Sequence, residues 1–228
     1  MPFVFTPPVM PVIPVLDEKY EFFPINRVFG IAKNYRDPTV ATQPEPFYFM
    51  KSADCVVPVA EGETLDMPIP PGSQDLRHEI ELVACLGRGG RNLTLEEAEE
   101  AVWGWCAGID FTLADQKRQD GSRDGLRSKV FAKSAPVSHV RPAYRAPLPH
   151  PVDLWLYVNN DKRQSGNSAQ LIRSPFEQIV ELSRFYELAP GDIIFTGTPL
   201  GSSRLVAGDK IEAGVNGVGS LRVNITEA

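Results

Sequence analysis

The chain has 228 residues, the size of one large domain, and 43% of them are apolar, which is enough for a sizeable core. Its formal net charge of −6 argues against nucleic acid as a partner, because phosphate binding needs a basic face. No run of about 18 apolar residues occurs, so we expect no membrane span. Three cysteines without a CxxC motif predict reduced, buried thiols and a cytoplasmic protein.

The N-terminal segment is apolar but rich in proline, which forbids a continuous helix. Its prolines are Pro2, Pro7, Pro8, Pro11 and Pro14. We therefore expect residues 1–24 to form an extended arm that lies on a single body made of residues 25–228.

Short strands separated by turn residues dominate the rest of the chain. Alternating or apolar runs predict strands at 25–32, 47–51, 55–59, 77–84, 106–109 and 193–196, and antiparallel strands with Gly-containing turns within 210–225. The polar segment 34–46 is predicted to be a loop. Capping boxes that begin at Thr94 and Ser174 predict helices that run to about Trp103 and Tyr186. The second helix should face the core with Phe176, Ile179, Val180 and Phe185. The fold class is therefore mainly β with a few helices (α+β).

The segment 77–84 (RHEIELVA) carries two glutamates at strand spacing, so Glu79 and Glu81 should lie on one face. Two like charges on an otherwise apolar strand are costly unless a cation lies between them. A hard divalent ion suits them, because Mg²⁺ and Ca²⁺ prefer carboxylate oxygens. Asp110, which follows the apolar run 106–109, can supply a third oxygen. The alternative is a solvent-facing strand with two solvated glutamates.

Other segments add to this pattern, and together they carry a family resemblance. They are RVFG at 27–30, NY at 34–35, FYFMK at 47–51, HEIEL at 78–82, GID at 108–110, KVF at 129–131, RQ at 163–164 and GDIIFTGTP at 191–199. The chain resembles the fumarylacetoacetate hydrolase superfamily, and within it the short bacterial fumarylpyruvate hydrolase type. The resemblance covers nearly the whole chain.

This resemblance implies a mixed β-sheet roll, usually homodimeric, that binds Mg²⁺ or Mn²⁺ through Glu79, Glu81 and Asp110. Family members cleave carbon–carbon bonds in acylpyruvates, and some relatives decarboxylate or tautomerise oxaloacetate-like acids. A 2-oxo acid can chelate such an ion, which then polarises the keto group and stabilises an enolate. The expected partners are therefore a small anionic oxo-acid and a second copy of the chain.

The resemblance also assigns individual side chains. Lys129 would be catalytic, adding positive charge beside the enolate. The residues that would bind substrate are Tyr35, Lys51, Thr196, Gly197 and Thr198. For Lys129 the alternative is an ordinary surface lysine, and for the two threonines it is a role in the turn alone. Arg36, Lys117 and Arg118 are further candidates for substrate carboxylates.

The chain departs from the family pattern after its Asn-Tyr pair. The family usually places a histidine and a glutamate on a short lid helix there, and these are thought to activate water. This chain has Pro38 and Ala41 at those positions, and a proline disfavours a helix interior. The candidate replacements for the missing base are Asp37, Glu45, His78, His139 and His150.

Three hypotheses therefore remain open. The chain is an acylpyruvate hydrolase with a replaced or missing base, or it uses only the enolate-stabilising half of the site. In that second case it would be a decarboxylase or tautomerase. The third hypothesis is a catalytically weak partner subunit that keeps the metal site.

Overall fold

The computed structural model describes residues 3–144 and 151–228. Within these two ranges it has three α-helices and many short strands, which is a mainly β fold as the sequence predicts. The helices are α1 (Leu95–Ala101), α2 (Gly125–Lys129) and α3 (Pro175–Phe185). The strands are β1 (Val12–Pro14), β2 (Phe22–Pro24), β3 (Val28–Ala32), β4 (Phe47–Lys51), β5 (Val56–Pro58), β6 (Thr64–Pro68), β7 (Leu76–Arg77), β8 (Ile80–Leu86), β9 (Val102–Ile109), β10 (Thr112–Leu113), β11 (Ala135–Val137), β12 (Arg141–Pro142), β13 (Asp153–Val158), β14 (Asp161–Asn167), β15 (Ile193–Phe195), β16 (Lys210–Val215) and β17 (Gly219–Thr226).

The larger sheet is mixed and has the order β4-β3-β15-β8-β9-β11-β5, with β12 also paired to β9. Its central strands β8 and β9 are antiparallel and place Glu81 opposite Gly108. Strand β15 pairs in parallel with β3 and antiparallel with β8. The turn that follows β15 is therefore brought next to the beginning of β8, whereas the segment before β15 lies next to the end of β8.

A second sheet, of order β14-β13-β16-β17-β6, packs on one face of the larger sheet. Strand β8 is buried along its whole length, and its side chains point alternately into two hydrophobic cores. Leu82 and Ala84 face the core between the sheets, whereas Val83 and Cys85 face a smaller core on the other side. The β1–β2 hairpin contributes Ile13 to that smaller core. The burial of both faces explains why β8 reads as a nearly continuous apolar run.

Both predicted capping boxes are confirmed, with reciprocal side-chain and backbone hydrogen bonds at Thr94 and Ser174. Helix α1 ends at Ala101, two residues before the predicted end at about Trp103, because Val102 already pairs with Leu86 as the first residue of β9. The expectation that Phe185 faces the core is wrong, since its side chain is 74% exposed. At 100° per residue, the nine-residue separation turns through about 900°, or two and a half circles, so Phe185 lies on the helix face opposite Phe176.

The three cysteines are free and buried, as the sequence predicts. The predicted strand 77–84 is interrupted, because residues 78 and 79 lie between β7 and β8. Residues 34–46 form no helix or strand, in agreement with the predicted loop. Among the described residues, no helix is long and apolar enough to cross a membrane.

Candidate metal centre and active site

The fold brings three acidic side chains from two adjacent strands to one place. The backbone N–H of Asp110, just after β9, donates to the carbonyl oxygen of Glu79 at 2.8 Å. Glu81 lies two residues further along, within β8. Each of Glu79, Glu81 and Asp110 offers a carboxylate oxygen within 4.8 Å of the other two. This three-residue carboxylate group can bind a divalent metal ion.

Two buried lysines form ion pairs with the carboxylate group. Lys129, the last residue of α2, donates from Nζ to Oε2 of Glu79 at 2.8 Å, to Oγ1 of Thr112 at 2.6 Å and to Oδ2 of Asp110. Lys51, the last residue of β4, donates to Oδ1 of Asp110 at 2.8 Å and to the carbonyl oxygen of Lys129. Asp110 is therefore held between two ammonium groups. Lys129 is not the ordinary surface lysine of the alternative interpretation, because its side chain is buried.

The carboxylates differ in their electrostatic environment. Burial works to raise the pKa of Asp110, but the charges of Lys129 and Lys51 outweigh it and hold that pKa below its ordinary value. Burial also raises the pKa of Glu81, and the negative charges of Asp110 and Glu79 raise it further, to well above its ordinary range. Glu81 is thus the carboxylate for which the group lacks a cation.

A charge count leads to the same conclusion. With all three carboxylates ionised and both lysines charged, one negative charge would be left over in a buried place. Burying an uncompensated charge is costly. A divalent ion would satisfy that charge with the hard oxygen ligands that Mg²⁺, Mn²⁺ and Ca²⁺ accept. The residues present therefore fit such an ion.

Glu81 is also tied to the turn that follows β15. The backbone N–H of Gly197 donates to Oε2 of Glu81 at 2.6 Å. Gly197 has φ +109°, and a Cβ there would lie 2.9 Å from Cβ of Asn34. Glycine is required on both counts. Asn34 holds the turn by donating from Nδ2 to the carbonyl oxygens of Thr196 at 2.8 Å and Arg173 at 2.9 Å. Sequence reasoning gave Asn34 no role, although it belongs to the matched Asn-Tyr pair.

The two threonines of this turn have different surroundings. The Thr196 hydroxyl is buried and donates to the carbonyl oxygen of Leu82 at 2.8 Å. The Thr198 side chain is half-buried, and its Oγ1 accepts a hydrogen bond from Nε2 of Gln164 at 2.8 Å. Thr198 is therefore the threonine that a bound molecule can reach.

Tyr35 lies close enough to the carboxylate group for the charge of Glu81 to affect the pKa of its phenol. Burial raises the pKa of the Tyr35 phenol, and the negative charge of Glu81 adds to that rise. The residue is 7% exposed, and its hydroxyl has no hydrogen-bond partner within the described ranges 3–144 and 151–228. Tyr35 therefore stays protonated and offers an unused hydrogen-bond donor.

The segment that corresponds to the family's lid is a compact turn. Oδ1 of Asp37 accepts hydrogen bonds from the backbone N–H of Thr39 at 2.9 Å and from its hydroxyl at 2.6 Å. Gln43 closes the turn by bonding both backbone groups of Asp37. Pro38 and Ala41 are exposed. The segment presents no histidine, and the Asp37 carboxylate is already engaged.

The other side chains considered as replacement bases lie elsewhere. Glu45 is 87% exposed and pairs at 3.7 Å with Arg173. His78 is buried and bonds to Gln164 and Ser203. His139 lines a separate cavity of about 340 Å³ beside Leu16 and Trp155. His150 lies outside the described residues.

The cationic side chains predicted to bind substrate carboxylates also differ in whether they lie at the carboxylate group. Arg36, Lys117 and Arg118 are exposed and form no hydrogen bond or ion pair with the carboxylate group. Lys51 is the one that lies in the group, but its ammonium is already bonded to Asp110 and to the main chain.

Comparison with known proteins gives a consistent assignment. The family described as "Fumarylacetoacetate (FAA) hydrolase C-terminal" matches residues 27–226. The oxaloacetate tautomerase FAHD1, mitochondrial, of Rattus norvegicus is 35% identical over 204 residues, which cover 86% of this chain and 89% of the rat protein. The fumarylpyruvate hydrolase of a Ralstonia species is 33% identical over 186 residues, which cover 81% of this chain and 94% of that enzyme.

A solved structure extends the similarity to the whole fold. The fumarylpyruvate hydrolase of Pseudomonas aeruginosa, crystallised in complex with Mn²⁺ and pyruvate, superimposes with a TM-score of 0.91. It is 36% identical, and all of both chains is covered. The roll-like fold and the resemblance drawn from the sequence are thereby confirmed. The chain belongs to the fumarylacetoacetate hydrolase family.

Proposed function

We propose that this protein is a divalent-metal-dependent hydrolase that cleaves a carbon–carbon bond in a small acylpyruvate, a 2,4-dioxo acid like fumarylpyruvate. The observation that carries this proposal is the buried carboxylate group of Glu79, Glu81 and Asp110 together with its two lysines. The similarity to two fumarylpyruvate hydrolases supports it.

The ion would be held by the three carboxylates and would be Mg²⁺ or Mn²⁺, with Ca²⁺ also suited to these ligands. When bound, it would supply positive charge to the keto oxygen that becomes negative during the reaction. It would also change the net charge of the group from −1 to +1, which favours an anionic substrate.

The side chains around this group have complementary roles in the proposal. Lys129, as the catalytic residue, keeps a permanent positive charge next to Glu79 and Asp110, because those carboxylates raise its pKa more than burial lowers it. The phenol of Tyr35 and the hydroxyl of Thr198 would donate hydrogen bonds to substrate oxygens. Gly197 has no side chain, so a substrate could approach its backbone closely.

For Thr196 and Lys51, contact with the substrate remains a prediction. In the structure Thr196 bonds to the main chain and Lys51 to Asp110. Lys51 would therefore act on the substrate through Asp110 unless the bound acid draws its ammonium group away.

A second candidate function is tautomerisation or decarboxylation of an oxaloacetate-like acid. One observation favours it: residues 36–46 direct no histidine or free carboxylate toward the carboxylate group. Enolate stabilisation needs no activated water, whereas a general base typically contributes 10²–10⁴-fold to hydrolysis. The rat relative is named as an oxaloacetate tautomerase. A weak partner subunit is the remaining alternative.

The test is to load the purified protein with Mn²⁺ or Mg²⁺ and follow the ultraviolet absorbance of fumarylpyruvate, acetylpyruvate and oxaloacetate. Metal-dependent loss of the acylpyruvates that Glu81→Ala abolishes would support the hydrolase. Turnover of oxaloacetate alone would replace that proposal by the tautomerase or decarboxylase. Metal-dependent oxalate binding without any turnover would identify the partner subunit.

We also propose that the protein is a homodimer and that residues 1–24 act as an arm beside the catalytic body 25–228. Several large apolar side chains of the arm are exposed, namely Phe3, Val4, Phe5, Val9 and Met10. An apolar surface of this kind is typical of a protein contact. Sedimentation of the whole chain and of a chain starting at residue 11 tests this: the arm proposal requires the shorter chain to dissociate more readily.

A further inference from the structure

The buried side chain of Gln164, on β14, uses every hydrogen-bonding position that it has. Its Oε1 accepts from Nδ1 of His78 at 2.9 Å and from the backbone N–H of Ile80 at 3.2 Å. Its Nε2 donates to Oγ1 of Thr198 and to the carbonyl oxygen of Pro199, both at 2.8 Å. A glutamine amide offers two donor hydrogens and two acceptor positions. Gln164 therefore joins the beginning of β8 to the turn after β15.

The main-chain partners fix which way round this amide lies. The N–H of Ile80 can only donate, and the carbonyl oxygen of Pro199 can only accept. A flipped amide would place donor against donor and acceptor against acceptor. The second Nε2 hydrogen must therefore point to Thr198, whose Oγ1 accepts it and whose own hydrogen points elsewhere.

The fate of that hydrogen distinguishes Thr198 from its neighbour. The Thr196 hydroxyl already donates to Leu82. In the described part of the chain, no acceptor receives the hydrogen of the half-buried Thr198 hydroxyl. Thr198 directly follows Gly197, whose N–H bonds Glu81, so this free donor is one residue along the chain from a contact with the carboxylate group.

Close packing of the turn on β14 makes the linkage possible. A Cβ on Gly166 would lie 2.4 Å from Cβ of Pro199, and a Cβ on Gly201 would lie 2.0 Å from the carbonyl oxygen of Arg163. Gly201 also has φ +107°. Two glycines thus allow residues 199–201 to approach β14 closely enough for Gln164 to span the gap.

We propose that Gln164 is a positioning residue that fixes the Thr198 hydroxyl as a hydrogen-bond donor to a carboxylate oxygen of the bound oxo-acid, and that His78 holds Gln164 in place. This proposal rests on the proposed function, since it assumes an acid bound at the carboxylate group. The outward donor selects an oxygen acceptor and disfavours an N–H or ammonium group at that position of the ligand.

A double-mutant cycle tests the proposal with oxalate, which binds without reacting, titrated calorimetrically into the Mn²⁺-saturated protein. Thr198→Val should weaken oxalate binding by about 10- to 100-fold, as expected for a hydrogen bond to a charged group. Gln164→Glu should cause a similar loss, because a carboxylate has no hydrogen to give and draws the Thr198 hydrogen inward. The double variant should lose no more than either single variant.

Two controls separate positioning from general damage. Thr198→Ser keeps the hydroxyl and should retain affinity within about threefold. Gln178 is a second buried glutamine, which donates to the carbonyl oxygens of Arg173 and Thr196 but not to Thr198. Any loss caused by Gln178→Glu should add fully to that of Thr198→Val. Mn²⁺ affinity is measured first for every variant and should not change.

The outcomes are distinct. Full additivity of Gln164→Glu and Thr198→Val, or unchanged oxalate affinity in Thr198→Val, would overturn the positioning role. If Gln164→Glu does not fold, two variants of His78 replace it in the test. His78→Phe should weaken oxalate binding, whereas His78→Asn, which keeps an N–H near the position of Nδ1, should largely retain the affinity. Equal effects of the two His78 variants would overturn the proposal. Coupled binding in a protein without turnover would remove the proposed function and leave this inference standing. Wild-type protein that binds no oxalate would remove both.

Discussion

The ammonium nitrogen of Lys129 and Oε2 of Glu79 lie 2.8 Å apart although 50 residues separate them in the chain. The contact depends on helix α2, because Lys129 is its last residue and is placed over the gap between β7 and β8. Lys129 therefore serves two purposes. It offsets part of the negative charge of Glu79 and Asp110, and in the proposed function its ammonium group would also stabilise negative charge on the substrate.

Replacing Lys129 with methionine should destabilise the metal-free protein by about 3–5 kcal/mol, since it leaves buried carboxylates without their partner. Added Mn²⁺ should raise the melting temperature more in Lys129→Met than in the wild type, because the ion then compensates a larger uncompensated charge. Differential scanning calorimetry with and without chelator measures both effects. Arg127→Met is the matched control, because Arg127 lies on the same helix but is exposed and should change stability little.

Glu81→Gln should have opposite effects on stability and on metal binding. Burial and two neighbouring carboxylates make the ionised Glu81 unfavourable, as its raised pKa indicates. A neutral amide of the same shape removes that cost and can still accept the Gly197 N–H. We expect the metal-free melting temperature to rise by about 2–4 °C for each kcal/mol recovered, while Mn²⁺ affinity falls by about 100-fold or more.

Glu79→Gln provides the contrast, because Glu79 is paired with Lys129 and its neutralisation removes a favourable interaction. It should lower the metal-free melting temperature as well as the Mn²⁺ affinity measured by electron paramagnetic resonance. A rise in melting temperature for Glu79→Gln, or a fall for Glu81→Gln, would contradict the electrostatic account of the site.

Gly197→Ala should lower both stability and metal affinity. Gly197 and Gly62 both have positive φ, +109° and +83°. The strain of a left-handed alanine is about 1–2 kcal/mol at either site. Gly62 has open space around it, whereas a Cβ at Gly197 would press on Asn34. The excess destabilisation of Gly197→Ala over Gly62→Ala, measured by urea unfolding, should therefore report that contact. Equal losses of stability in Gly197→Ala and Gly62→Ala would show that the turn relaxes around the added Cβ without a further free-energy penalty.

The sequence predicted the features that depend on local chemistry. The capping boxes at Thr94 and Ser174 specify helix starts through contacts within four residues, and both were found. The spacing of Glu79 and Glu81 indicated a shared face, and family resemblance added Asp110. The end of α3 was predicted to within one residue, but α1 ends two residues early, because the tertiary pairing of Val102 decides it.

The partners of the buried polar groups could not be predicted from the sequence. Lys51 is 59 residues from Asp110, and Gln164 is 34 residues from Thr198 and 86 from His78. Such contacts arise only when β4, β8, β14 and the turn after β15 converge. The exposed Phe185 shows a second limit of sequence-based prediction, because an apolar residue near the end of a helix need not lie on the helix face that packs against the core.

The turn at residues 36–46 allows a sharp test of the departure from the family pattern that the resemblance implies. The resemblance places a water-activating histidine and glutamate where this chain has Pro38 and Ala41. Pro38→His together with Ala41→Glu would restore both groups and remove the proline that disfavours a helix. Because general-base assistance is typically worth 10²–10⁴-fold, we expect metal-dependent fumarylpyruvate hydrolysis to rise by at least about tenfold. Turnover of oxaloacetate should change much less.

Pro38→Ala together with Ala41→Ser is the control for that experiment, since it frees the backbone without adding a base. Initial rates at saturating Mn²⁺ compare the two double variants with the wild type. A gain in the base-containing variant alone would indicate that the carboxylate group and its lysines are intact and that only water activation is missing. If neither variant gains and the wild type already hydrolyses fumarylpyruvate, another group activates water. If neither gains and the wild type is inactive, the carboxylate group does not support hydrolysis even with a base supplied.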